Sequence, residues 1–152
     1  MGRVTVTAER VVAAPAEQVY RCFADYRQHH PNFLPPAFSE FQIERGGIGA
    51  GTVITFRMTA GGRSRFFRME VSEPEPGHVL VETDAAAKTV TRFIVRLEGE
   101  KTRVLIETAF ESATGVAGFF ERLFAPRVLS GIYADELTRL ERYLATLWKA
   151  AE

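Results

Sequence analysis

The sequence predicts an α+β fold: one sheet of seven antiparallel strands, two short helices after the first strand, and a long C-terminal helix covering the sheet. Three observations carry this. Between Gly115 and Ala150, Phe119, Phe120, Leu123, Phe124, Leu129, Ile132, Tyr133, Leu137, Leu140, Leu144 and Leu147 recur at helical spacing as one apolar stripe. Arg127, Asp135, Glu136, Arg139, Glu141, Arg142 and Lys149 fill the other positions, so the helix is expected to lie on a surface with these charges toward water. Most of the preceding chain alternates with period two and is joined by short Gly-, Pro- or charge-rich links, the pattern of successive hairpins.

In chain order, Arg3 to Val12 alternates Val4, Val6 and Ala8 against Thr5, Thr7 and Glu9, an opening strand ending at Ala13-Ala14-Pro15. Pro15 suits a first helical position, and Val19, Tyr20 and Phe23 continue a short helix expected to stop near Asp25. His29-His30-Pro31 and Pro35-Pro36 leave room for a single further turn. Strands are then expected at Phe38 to Arg45, Gly51 to Ala60, Arg63 to Glu73, His78 to Asp84, Lys88 to Glu98 and Thr102 to Ser112. Pro126 is expected to interrupt the final helix, leaving Phe119 to Phe124 as a separate turn or two able to serve as a lid.

Alternation assigns faces. Val104, Ile106, Thr108 and Phe110 oppose Arg103, Glu107 and Glu111, while Phe93, Val95 and Leu97 oppose Arg92 and Arg96. By the same parity Ile54, Phe56, Met58, Phe67, Met69, Val71, Val79, Val81 and Thr83 are expected inside, with Arg57, Arg68, Glu70 and Glu82 outside.

Composition narrows the function classes. The 152 residues fit one domain spanning 1–152, with no repeat or linker. Nineteen basic residues balance nineteen acidic ones, which argues against nucleic acid as a partner. Cys22 is alone and no leader-like segment is evident, so the expected compartment is the cytoplasm. No apolar run is long enough for stable membrane insertion. Twelve Phe are more than burial alone demands and can wall a cavity.

The element order, the segment Val11-Val12-Ala13-Ala14-Pro15-Ala16-Glu17-Gln18-Val19-Tyr20 (an "ApxexV" pattern), Phe23, Asp25 and the closing Glu136-Leu137-Thr138-Arg139-Leu140 ("eLxxLk") resemble the START/Bet v 1-like (SRPBCC) superfamily, the polyketide cyclase/dehydrase and lipid-transport group. The resemblance spans the chain. It implies a helix-grip fold, in which a curved sheet wraps the C-terminal helix around an apolar cavity, but no single activity. Many relatives carry Trp between the first helix and the second strand; here Phe33 is the nearest substitute.

With that fold, Phe23, Phe33, Phe56, Met58, Phe67, Met69, Val81, Phe93, Val95, Ile106, Phe110, Leu129, Tyr133 and Leu137 are the candidate cavity lining, and His30, Arg65, Thr83, Thr91 and Thr108 the candidate polar contacts. Gly46-Gly47-Ile48-Gly49-Ala50-Gly51 invites comparison with phosphate loops, but it links two strands and lacks Lys-Ser/Thr, so it reads as a flexible hairpin, and the resemblance implies a place near the cavity mouth. His29 and His30 lack a third ligand, and His78 opens a strand, so no metal and no cofactor is expected. No nucleophile signature is present, and a catalytic residue is not identifiable. The leading expectation is binding or transport of a hydrophobic or amphipathic small molecule such as a lipid, quinone or polyketide. The alternatives are a polyketide cyclase/dehydratase using the same cavity, with Tyr133 and Arg65 among its tools, and a filled-core module that binds a protein partner.

Overall fold

The computed structural model describes residues 3–60, 62–111 and 126–151. Alternation produces a strand wherever it is expected: β1 (Arg3–Val12), β2 (Phe38–Arg45), β3 (Val53–Ala60), β4 (Arg63–Glu75), β5 (Val79–Asp84), β6 (Thr89–Glu98) and β7 (Lys101–Glu111). They form one curved antiparallel sheet in the order β1-β7-β6-β5-β4-β3-β2. Hairpins order β2 to β7, and β1 closes on β7 with Arg3 opposite Glu111 and Val12 opposite Thr102. β4 continues through Pro74 by slipping register between Ser72 and Glu75, a place where a residue without an amide donor is tolerated.

Pro15 has extended backbone and stands just before helix α1 (Ala16–Ala24), rather than at its first helical position. Asp25 ends the helix, and its Oδ1 accepts from the amides of Arg27 and Gln28, both at 2.9 Å. The second short helix is one 3-10 turn, His30–Phe33. The last helix, α2, is described over Pro126–Ala151, and the expected break before it and the Phe119 to Phe124 lid both fall on residues outside the described ones. α2 packs on β1 and the 3-10 turn; Ser130 Oγ donates to the Thr7 carbonyl at 3.2 Å and Arg10 pairs with Glu141 at 2.8 Å.

The inner rows of β3, β4, β6 and β7 are buried as parity predicts, with Arg57, Arg68 and Glu70 on the other face. Leu97 departs from the expectation: it lies next to the β6–β7 hairpin and is 72% exposed. β5 is reversed. Leu80 pairs with Phe93, and Glu82 with Val71 and Thr91, so Leu80, Glu82 and Asp84 face inward and Val79, Val81 and Thr83 form the outer row. Both faces of His78-Val79-Leu80-Val81 are apolar, so local alternation cannot choose between them; the paired strands do. Among the described residues no helix is long and apolar enough to cross a membrane.

Candidate functional site

The turn after α1 carries two of the key side chains, Tyr26 and His30. The Asp25 carbonyl accepts from the His29 and His30 amides at 3.2 and 2.8 Å, which winds the chain back under the helix. The glycine run Gly46–Gly51 braces this turn from outside. Gly49 N donates to the Ala24 carbonyl at 2.9 Å, Gly47 N to Thr52 Oγ1 at 3.1 Å, Ala50 N to Glu73 Oε1 at 2.7 Å and Gly51 N to the Val71 carbonyl at 3.0 Å, while the Gly47 carbonyl receives Tyr26 N at 2.8 Å. The expected flexible hairpin is therefore pinned, with four of its amides committed to protein acceptors. Gly49 has φ +66° and a Cβ there would meet Glu73 Oε1 at 2.3 Å, which accounts for glycine at that position.

Inside the turn, four ionisable side chains meet. Tyr26, His30, Glu82 and Glu136 are all buried, the last at 1% exposure. The Tyr26 hydroxyl donates to Glu82 Oε2 at 2.6 Å. His30 Nδ1 donates to the Phe23 carbonyl at 2.7 Å, since a carbonyl can only accept, which leaves Nε2 facing Glu136 Oε2 at 3.6 Å. That Glu136 oxygen is buried and has no hydrogen-bond partner. The imidazole stacks against Tyr26 and Phe33, with centroids at 4.8 and 5.1 Å, and meets the edge of Phe93 at 5.4 Å. Burial pushes the His30 pKa down, but Glu136 and the charge of Glu82 outweigh it and the net direction is up. Burial raises Glu82, against the opposing pull of His30 and Tyr26, and raises Tyr26 strongly.

A second polar group stands on the same cavity. Thr91 Oγ1 and Thr108 Oγ1 are 2.7 Å apart, and Thr108 Oγ1 is also hydrogen-bonded to the Tyr133 hydroxyl. Burial lifts the Tyr133 pKa, so its hydroxyl stays protonated at neutral pH. Between the two groups the walls are Leu34, Phe38, Phe41, Ile54, Phe56, Met58, Phe67, Met69, Phe93 and Leu129. The cavity holds about 30 Å³ open to the centre of a water molecule. That is room for a few waters at most, at roughly 10–15 Å³ each.

Of the candidate lining, Phe56, Met58, Phe67, Met69, Phe93, Leu129 and Tyr133 stand on the cavity, as do His30, Thr91 and Thr108 among the polar candidates. Phe23, Phe33, Val95, Ile106, Phe110 and Leu137 are buried in the surrounding core instead. Val81 and Thr83 belong to the outer row. Arg65 shares the row of Met58, but its guanidinium sits 5.8 Å from the Phe67 ring and does not line the cavity. Sequence reasoning missed Tyr26, Leu34, Phe38, Phe41, Ile54, Thr89, Glu82 and Glu136 as lining. Glu136 had a signal: Leu129, Ile132, Tyr133, Glu136 and Leu140 follow one helical stripe, and the carboxylate occupies an apolar position in it. His29 points elsewhere, its Nδ1 2.6 Å from the Tyr143 hydroxyl.

A curved antiparallel sheet gripping a C-terminal helix, with a cavity between them, is the helix-grip fold of Bet v 1-type proteins. The chain belongs to the family described as polyketide cyclase / dehydrase and lipid transport, which it matches over residues 3–145. Among solved structures it is similar to the KanY protein, at 32% identity and TM-score 0.84 over 95% of this chain and 99% of that one. A Thermus thermophilus protein, TTHA0849, shares 20% identity at TM-score 0.73 over 95% and 99% of the two chains. Zhui aromatase/cyclase from Streptomyces shares the fold at 16% identity and TM-score 0.65, over 93% and 96%. No curated protein matches the chain significantly.

Proposed function

We propose that the chain binds a ring-bearing hydrophobic or amphipathic small molecule between the sheet and α2. The observation that carries this reading is the cavity itself, walled by aromatic, aliphatic and methionine side chains and polar at its two hydrogen-bonding groups and Thr89. Burial of ligand surface there contributes about 25 cal/mol per Å². Ligand sites ordinarily enclose about 300–1,000 Å³, so entry requires the walls to move. Met58 and Met69, unbranched and adaptable, are the side chains best able to yield. A cyclase or dehydratase reaction in the same cavity is the second reading, favoured by the buried imidazole and carboxylates at one end.

Native mass spectrometry of freshly purified protein, followed by titration with a lipid, quinone and polyketide panel, tests the proposal. The expected result is a retained mass or micromolar binding of a flat apolar compound. No retained mass and no binding across the panel overturns it and favours the filled-core interaction module.

A further inference from the structure

We propose that Glu136 and His30 are a proton-transfer pair that interconverts the keto and enol forms of a ketone held in the cavity; this rests on the small-molecule reading above. The geometry begins with an unmet hydrogen bond. Glu136 Oε2 is buried, faces the cavity and has no hydrogen-bond partner, an arrangement that costs stability unless a bound molecule completes it. His30 Nε2, 3.6 Å away, is within ion-pair reach of it but beyond hydrogen-bond length. Both atoms can therefore address one carbonyl and its α-carbon at once. The imidazole is fixed in the orientation this requires, with Nδ1 committed to the Phe23 carbonyl and with Tyr26 and Phe33 clamping the ring from its two faces.

The groups facing His30 set its charge. Glu82 acts from β5, Glu136 and the neutral Tyr133 from α2, and the neutral Tyr26 from the turn after α1. Two carboxylates and no second cation among these groups favour the imidazolium, so Nε2 carries a proton to give while Glu136 has a lone pair to receive one.

The step balances without a further reactant. The α-C–H bond breaks and its proton passes to Glu136 Oε2. The released pair forms the carbon–carbon double bond, and the carbonyl oxygen takes the Nε2 proton of His30 to become the enol hydroxyl. Glu136 then returns its proton to Nε2, restoring the pair. The apolar walls select an uncharged substrate with a fused or aromatic ring beside the ketone.

The probe is 2-tetralone, a compact aromatic ketone. Its binding is measured by calorimetry, and loss of its α-proton signal in D₂O is followed by NMR. Wild-type protein is expected to speed exchange at least ~100-fold over buffer containing equal acetate and imidazole. Glu136→Gln should bind the probe but lose about 100-fold in exchange, His30→Gln should lose a comparable factor, and Glu136→Asp should recover part. Naphthalene, which has no α-proton, should compete and suppress wild-type exchange, a control that needs no variant to fold. Binding with exchange at the buffer rate overturns the pair and leaves the binding reading standing. Exchange that survives in folded Glu136→Gln, or that ignores saturating naphthalene, overturns the assignment. If neither 2-tetralone nor naphthalene binds, the binding reading falls and this inference falls with it.

Discussion

Tyr133 and Glu136 stand one turn apart on α2 and enter the same cavity, yet their surroundings differ in kind. The Tyr133 hydroxyl closes a chain with Thr108 and Thr91 in which each hydroxyl has a partner. Glu136, three residues on, keeps one oxygen without a hydrogen bond, 3.6 Å from His30 Nε2. A closed hydrogen-bond chain is a structural device; each member is satisfied and nothing further is required of a visitor. An open one keeps a hydrogen-bonding position that a visitor can fill. The contrast separates the two ends of the cavity more clearly than polarity does, because both ends are polar and buried.

The largest expected effect breaks both ends together. Phe93→Glu replaces a ring that touches Phe23 and His30, with centroids at 4.7 and 5.4 Å, by a carboxylate on the inner wall. Loss of the ring alone should cost about 3–5 kcal/mol, measured by denaturant unfolding, and ligand binding should vanish. Retained stability and binding would mean that the inner wall tolerates charge and that the distinction between the two ends is unimportant.

The next effect belongs to the open end alone. The His30 pKa is raised above 6.5, so the stability contributed by its charged form is complete below that pH and is lost as pH rises through the folded value. Glu82, also raised, adds a slope of the same sign starting above 4.5. Melting temperature should therefore fall as pH rises above 6.5 in the wild type and fall less in His30→Gln. Equal slopes in the two proteins would remove His30 from the account. The smallest effect is at the closed end. Tyr133→Phe deletes one satisfied hydrogen bond and should cost about 1 kcal/mol in unfolding, with ligand affinity nearly kept. A large loss of affinity would show that this hydroxyl, too, faces the ligand.

The fold was readable because each strand repeats the same two-residue rule and short hairpins leave few ways to order them. The strands came out within two residues of their expected bounds, and the sheet buries most of the residues assigned inside. The site was less readable, for one physical reason. Charge ordinarily marks a solvent face, and this rule puts Glu82 and Glu136 outside, whereas both are buried against a histidine and a tyrosine contributed by a distant turn. Only the register with Val71 and Thr91 reveals the first, and only the helical stripe through Tyr133 and Leu140 hints at the second. Thr91, Thr108 and Tyr133 were visible because small polar or aromatic residues at inward positions need no such exception, whereas His30, in a loop with no periodicity, entered only as a candidate contact at the cavity mouth.

The pairing of β1 with β7 also sets a timetable. Among the described residues the first strand pairs in the sheet with the last alone, Arg3 meeting Glu111, so β1 waits unpaired while β2 to β7 can zip together hairpin by hairpin. Closing so long a loop is slow, because its entropy must be surrendered before the contact returns anything. During synthesis the nascent chain must keep β1 from pairing wrongly until β7 has left the ribosome. The charged residues spaced along it, Arg3, Glu9 and Arg10, supply gatekeepers against that error.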